Sequence, residues 1–262
     1  MVPLLALLGL APRADRSVQV LPHAVFLDGR ARTAQVQLAN TGPTLEDVDI
    51  ELKFGYPDTD SLGNIFMHLW DAPAPEQPSA ARWIRVFPRH VVLLPGRRQT
   101  VRLLAEPATD LGVGEYWARM LVTARGVPGG CDAPQVVTTI ISVTYRNGAV
   151  RTGVALEQFR AGVEGDSLVI RVALTREGNA AYLGTGSVQL VDAADRIRGR
   201  WEAPMAVYYR LDRRMAFPLA PVPPGPYTVR FALATDRTDI PQHLALPAPP
   251  VEASAQIEVP AR

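Results

Sequence analysis

Lysine and cysteine are nearly absent from this chain of 262 residues. Lys53 is its only lysine, so Schiff-base chemistry and lysine-dependent phosphate loops are excluded at every other position. Cys131 is its only cysteine, which excludes an intrachain disulfide and a zinc site built from cysteines. Two glycines precede Cys131 and a proline follows closely, so we interpret this residue as a solvated loop thiol.

A strong charge of either sign is also missing, since 27 basic residues stand against 26 acidic ones. Proteins whose main work is nucleic-acid binding usually carry a large basic excess, so that class is excluded. No run reaches the roughly 20 apolar residues that a membrane-spanning helix needs. A shorter apolar run at residues 4–11 has the length of a signal-peptide core. We therefore expect residues 1–16 to be a signal-peptide remnant on an exported, soluble protein.

A helical repeat of apolar residues is missing as well, since no segment of ten or more residues holds a convincing period of 3.6. The dominant period is two. From residue 47 to residue 54 charged and apolar residues alternate without exception, and apolar residues occupy every second position of 168–174. Such alternation is typical of antiparallel strands with one buried and one wet face. The sequence therefore predicts an all-β protein.

Two halves are predicted, because Asn147-Gly148 interrupts the strand pattern and one motif occurs on each side of it. The motif, Gly-x-Tyr-x-x-Arg, lies at residues 114–119 and again at 225–230. In an immunoglobulin (Ig) sandwich, a tyrosine near the start of the sixth strand bonds back to the backbone upstream. We expect Tyr116 and Tyr227 to form such tyrosine corners. The predicted organisation is an N-terminal Ig-like domain at 17–146, a hinge at 147–153 and a C-terminal Ig-like domain at 154–262.

Signatures of catalysis and metal binding are missing too. The chain has no Gly-x-Ser-x-Gly elbow, no His-Glu-x-x-His and no glycine-rich phosphate loop. Asp58 and Asp60 begin like a calcium loop, but Leu62 and Leu69 stand where ligands are required. We expect no enzymatic activity, no cofactor and no metal. The polar, proline-rich segment 56–82 is predicted to be a long connection between strands, and such loops are often functional.

The longest β-prone run, residues 135–146, ends the first half and carries no charge before Arg146. One interpretation is a central strand that is buried on both faces. The other is an edge strand that pairs with another chain, because ordinary edges are protected by charges, bulges or prolines. An unprotected edge suits β-augmentation, in which main-chain hydrogen bonds supply the affinity.

Nine short segments, spread over nearly the whole mature chain, form a recognisable series by their order and spacing. They are residues 24–26, 36–40, 87–89, 94–96, 99–102, 114–117, 143–146, 178–184 and 224–228. In this order the chain resembles the periplasmic pilus-assembly chaperones of the chaperone–usher pathway, the PapD-like family, as a divergent member. That resemblance implies two tandem Ig-like β-sandwiches set at an angle.

The resemblance also implies donor-strand complementation, in which the last strand of the first domain lends alternating apolar side chains to an incomplete pilin sandwich. It implies an interdomain ion pair between Glu115 and Arg146. The expected subunit-binding side chains are Val137, Thr139, Ile141 and Val143, with Val136 and Ile140 of the opposite parity as the alternative.

The function implied is a periplasmic chaperone that binds and caps secreted pilus or fimbria-type subunits, with these subunits and an outer-membrane usher as partners. The alternative is an exported tandem Ig-like structural or adhesive protein without client hand-over. An exposed edge strand would also permit self-association, which the sequence does not decide. Family members anchor the pilin carboxylate with an arginine and a lysine, where this chain has Leu21 and Ser142. Either another arginine, such as Arg151, replaces them or capture works without an anchor.

Overall fold

A computed structural model describes residues 17–126, 135–219 and 222–260. The predicted signal-peptide remnant and the loop that carries Cys131 lie outside the described residues. Within these ranges every regular element is a β-strand. The predicted fold class, all-β in two tandem sandwiches, is confirmed.

The described part of the amino-terminal half contains ten strands, which form the amino-terminal sandwich. They are β1 (Val18–Leu21), β2 (Ala24–Asp28), β3 (Thr33–Asn40), β4 (Glu46–Thr59), β5 (Ile65–Trp70), β6 (Ile84–Phe87), β7 (His90–Leu93), β8 (Arg98–Ala105), β9 (Gly114–Gly126) and β10 (Val136–Asn147). The described part of the other half contains seven strands, which form the carboxyl-terminal sandwich. They are β11 (Thr152–Glu164), β12 (Ser167–Gly178), β13 (Tyr182–Asp192), β14 (Ile197–Val207), β15 (Arg210–Pro218), β16 (Gly225–Ala234) and β17 (Val251–Val259).

The amino-terminal sandwich packs a sheet of order β1-β3-β8-β6 against a sheet of order β2-β10-β9-β4-β5, with β7 paired to the start of β4. This division matches the ABED and CFG sheets of an Ig-type sandwich. The predicted alternation in β4 is confirmed, because Val48 and Ile50 are buried in the core between the sheets. Asp49, the charged residue between them, faces outward and contacts His90 and Arg125.

The carboxyl-terminal sandwich packs β11-β12-β15 against β14-β13-β16-β17 around a second core. Each sandwich holds one hydroxyl–backbone bond of the kind expected from the repeated motif. The Tyr116 hydroxyl donates to the carbonyl oxygen of Gly112 at 3.0 Å. The Tyr227 hydroxyl donates to the carbonyl oxygen of Pro223 at 2.9 Å. Both bonds span four residues across a turn, which is the geometry of a tyrosine corner.

The expectation of a long loop at 56–82 is corrected, because its first part is a β-hairpin. β4 pairs with β9 only as far as Lys53 and then runs on to Thr59, where a tight turn returns the chain as β5. Gly63 supplies the left-handed conformation of that turn, with a φ of 81°. The sequence pattern hid the hairpin because polar and proline residues interrupt the alternation.

The β4–β5 hairpin reaches the carboxyl-terminal sandwich at its tip. The amide of Asp212 donates to the Thr59 hydroxyl oxygen at 3.1 Å, and the amide of Arg214 donates to the carbonyl oxygen of Gly63 at 2.9 Å. Both acceptors belong to the hairpin and both donors to β15. The hairpin therefore ties the two sandwiches together at a point away from the chain connection.

A third apolar cluster lies between the sandwiches. Phe54 and Trp117 come from the amino-terminal sandwich, whereas Ala181 and Tyr208 come from the other, and all four are buried. The rings of Trp117 and Tyr208 meet edge to face with their centroids 4.7 Å apart. Burial raises the pKa of Tyr209, the neighbour of Tyr208.

Candidate functional site

One half of β10 is an open sheet edge. The strand pairs with β9 along its whole length, but it pairs with β2 only over Ser142–Arg146. Among the described residues nothing pairs with the other side of 136–141. Each interpretation of this run therefore holds for part of the strand: the carboxyl half is central in its sheet and the amino half is an edge.

The backbone direction along this edge follows from one hydrogen bond. The amide of Ser142 donates to the carbonyl oxygen of His23 at 3.0 Å, so the polar backbone groups of Ser142 face the β2 side. Because the N–H and C=O groups of successive strand residues point to opposite sides, those of Thr138 and Ile140 face the same way. At these two residues β2 no longer reaches the strand, and the groups are left for another partner.

The side chains expected to bind a subunit do not share one environment. Ile141 and Val143 are both 0% exposed and belong to the core of their own sandwich, so their assignment as donor side chains is corrected. Val137 and Thr139, on the same face, are half-buried. The reason is that this face continues to Tyr145 and covers the sandwich interior.

The opposite parity faces outward at the open edge. Val136 is 55% exposed and Ile140 is half-buried. β1, an edge of the facing sheet, runs close by, and a groove of about 170 Å³ lies between β1 and Thr139. Leu21 lines this groove and is 57% exposed, which adds an apolar side chain to the edge.

The Glu115–Arg146 ion pair lies at the contact between the sandwiches. Arg146 Nε is 3.0 Å from Glu115 Oε2, across neighbouring positions of β9 and β10. Both residues come from the amino-terminal sandwich, yet each also bonds the other one. Arg146 Nη1 donates to the carbonyl oxygen of Leu244 at 2.7 Å, and Glu115 Oε1 accepts the amide of Ala181 at 3.1 Å. The pair therefore holds both sandwiches through backbone groups of the second.

A buried arginine lies beside Ser142, and sequence reasoning did not assign it a position in the site. Arg119 Nη1 donates to Ser142 Oγ at 2.5 Å, and Nε donates to the carbonyl oxygen of Gly55 at 3.0 Å. Its guanidinium stacks over the Tyr208 ring at 5.0 Å, while Nη2 has no hydrogen-bond partner among the residues that the structure describes. Arg119 is the last residue of the repeated Gly-x-Tyr-x-x-Arg motif, and this repeat is the feature of the sequence that could have drawn attention to it. Arg151 lies exposed near the chain connection.

The described residues contain neither a cluster suited to bind a metal ion nor a helix suited to span a membrane. No group of three or more His, Cys, Asp or Glu residues is arranged to hold a metal ion. No helix in this part of the chain has the length and apolarity required to cross a membrane.

Comparison by sequence finds no family model and no curated protein that matches this chain. Comparison of structures finds matches of low identity. One is the CsuC–CsuE chaperone–tip adhesion subunit complex from the archaic chaperone–usher Csu pili of Acinetobacter baumannii, at 14% identity and a TM-score of 0.42, covering 76% of this chain and 89% of that one. Another is the Pseudomonas aeruginosa CupB2 chaperone, at 12% identity and a TM-score of 0.42, covering 91% and 98%. A third is the Salmonella enterica SafA pilin in complex with the SafB chaperone, at 12% identity and a TM-score of 0.41, covering 90% and 95%.

All three structures contain a chaperone. TM-scores below 0.5 are too low to transfer a function, so what bears on function is the geometry of this chain's own open edge.

Proposed function

We propose that this chain is a periplasmic chaperone that binds and caps secreted pilus or fimbria-type subunits by donor-strand complementation. The observation that supports this proposal is the open, uncharged amino half of β10. A subunit that lacks one strand of its sandwich exposes apolar core and an unpaired edge, both of which promote aggregation. An accessible strand from a second protein would cover the apolar core and pair with the open edge.

The backbone of Thr138 and Ile140 provides the pairing groups in this proposal. Their N–H and C=O groups face away from β9, so a client strand can extend the sheet there without breaking a native ladder bond. The outward side chains of Val136 and Ile140 would enter the client, and Leu21 would contact it from β1. This assignment adopts the parity that the sequence left as the alternative.

Capture in this proposal depends on strand pairing and not on a carboxylate anchor. The two positions where the family carries basic residues hold Leu21 and Ser142 here. Arg119 covers the Ser142 hydroxyl, but it is only 3% exposed and its guanidinium is stacked on Tyr208. A client carboxylate would have to open the contact between the sandwiches to reach it.

The remaining elements of the proposal follow from the chaperone role. Residues 17–146 would form the client-binding domain, 147–153 a short connection and 154–262 the second domain. β10 ends at Asn147 and β11 begins at Thr152, so only 148–151 lie outside strands in that connection. The partners would be fibre subunits and an outer-membrane usher in the periplasm.

The test is a proline at the open edge. Thr138→Pro removes an N–H that faces the open side, so it should block client pairing while the β9 ladder stays intact. The matched control, Thr138→Val, keeps the N–H and, like the proline variant, loses the exposed hydroxyl contact with Thr123. Each variant is coexpressed with a pilin-type subunit that lacks one strand of its sandwich, and the co-purified subunit is quantified. We expect about a tenfold loss for the proline variant and little change for the valine variant.

Two results would contradict the proposal. Undiminished capture by a folded Thr138→Pro variant would exclude pairing at this edge. Absence of capture by the natural chain, with the subunit shown to be strand-deficient, would favour the structural or adhesive alternative. Circular dichroism of both variants establishes that each is folded.

A further inference from the structure

A row of three arginines crosses the outer face of one sheet of the carboxyl-terminal sandwich. Arg160 on β11 lies directly opposite Arg171 on β12, and Arg171 lies directly opposite Arg214 on β15. Directly opposed residues have Cβ atoms about 5 Å apart, and like charges in such pairs destabilise a sheet. This arrangement concentrates positive charge on one face of the sheet.

One carboxylate neutralises part of the row. Glu164 accepts from Arg171 Nη1 at 2.7 Å and from Arg214 Nη2 at 2.8 Å. Among the described residues the Arg160 side chain has neither an ion pair nor a hydrogen bond. Three guanidinium groups therefore share a single carboxylate, and about two positive charges remain.

The tip of the β4–β5 hairpin covers this row and turns it into a concavity. A pocket of about 220 Å³ is lined by Ser61, Leu62 and Gly63 from the hairpin and by the arginine row from the sheet. The bond from the Arg214 amide to the Gly63 carbonyl oxygen holds the roof in place. Gly63 is required there, because a Cβ at this position would lie 2.6 Å from the Arg214 backbone nitrogen.

The other charged residues that line this pocket cancel only part of the excess. Asp212 and Glu157 share the single guanidinium of Arg210, with Nε 2.7 Å from Asp212 and Nη1 2.6 Å from Glu157. These three groups carry one net negative charge, so about one positive charge of the row remains. The guanidinium of Arg213 is engaged outside the arginine row, since its Nη1 donates to the carbonyl oxygen of Pro204 at 2.6 Å.

We propose that this pocket binds a phosphate group, either as the free ion or as a soluble phosphate monoester. The planar fork of each guanidinium matches the oxygens of a phosphate, and the positive charge that remains on the row attracts the negative charge of a phosphate. The Ser61 hydroxyl adds a further donor on the roof. This site is independent of the open edge of β10.

The test uses binding at constant ionic strength, with chloride as the balancing anion. Inorganic phosphate and glycerol 3-phosphate are titrated separately by calorimetry into the full chain, and tighter binding of glycerol 3-phosphate would identify a monoester as the source. Arg160→Gln leaves every native bond in place, so it should weaken phosphate binding about tenfold through loss of one charged donor. Arg98→Gln on β8 removes another exposed arginine, also without a side-chain partner in the described part of the chain, from the other sandwich and should leave binding unchanged.

A second variant moves in the opposite direction. Glu164→Gln removes the competing carboxylate and releases donors of two arginines, so phosphate should bind several-fold more tightly. The proposal is overturned if neither phosphate compound binds saturably, if Arg98→Gln weakens binding as much as Arg160→Gln, or if Glu164→Gln weakens it.

Discussion

The carboxylate of Glu115 makes contacts with several donors at once. Its two oxygens accept from Arg146, from the indole N–H of Trp117 and from the amide of Ala181. The side chain is 2% exposed, so none of these donors has water as a ready substitute. The carboxylate therefore both neutralises a largely buried guanidinium and joins the two sandwiches.

Replacement of Glu115 by Gln should lower the free energy of unfolding by about 3 kcal/mol, because it leaves the Arg146 guanidinium without its counter-charge. Urea denaturation followed by tryptophan fluorescence measures the change. Glu106→Gln is the control, since its ion pair with Arg85 is more than half exposed on both sides and should be worth under about 1 kcal/mol. Equal losses in the two variants would show that the Glu115 pair contributes no more than a surface contact.

The β4–β5 hairpin shows, at the scale of an element, how one glycine sets a contact between two sheets. Gly63→Ala should strain the backbone of the turn, because residue 63 has a positive φ, and the added Cβ should clash with Arg214. Gly96→Ala is a matched control, because Gly96 also has a positive φ, 71°, but has open space around its Cβ position. We expect Gly63→Ala to cost about 1–2 kcal/mol more than Gly96→Ala. Hydrogen exchange of the Arg214 amide should accelerate only in the Gly63 variant; an unchanged rate would exclude the tip contact as a stabilising one.

β4 and β10 show how far periodicity predicts an element and where it stops. The strict alternation at 47–54 predicts both the strand and its buried face, because burial of one face is encoded locally. β10 is apolar or β-branched on both faces, so its sequence identifies a strand and leaves the choice between edge and centre open. That choice depends on β2, which lies more than a hundred positions earlier and covers only the second half of β10. The sequence alone therefore leads to the assignment of Ile141 and Val143 to a client, whereas in the structure they fill the core of their own sandwich.

Several contacts among the described residues join the two sandwiches, and they decide how the whole molecule should unfold. The Glu115–Arg146 pair, the hairpin tip and the buried cluster of Phe54, Trp117, Ala181 and Tyr208 all cross the contact. Domains within one chain usually move independently unless the surface between them is large and apolar. Here the contact includes stacked and buried rings together with a charged pair, so unfolding of one sandwich should expose apolar surface of the other.

We therefore expect a single calorimetric transition for the natural chain and two transitions for Tyr208→Ala. Tyr208 lies between β14 and β15, outside both main cores, and its ring contacts Trp117 and Arg119 across the contact. Removing a buried ring costs about 3–5 kcal/mol, and at this position the loss falls on the coupling between the sandwiches. Phe231→Leu, within the carboxyl-terminal core, is the control and should lower the melting temperature without splitting the transition. A single transition in Tyr208→Ala, shifted as in the control, would mean that the other contacts suffice to couple the two sandwiches.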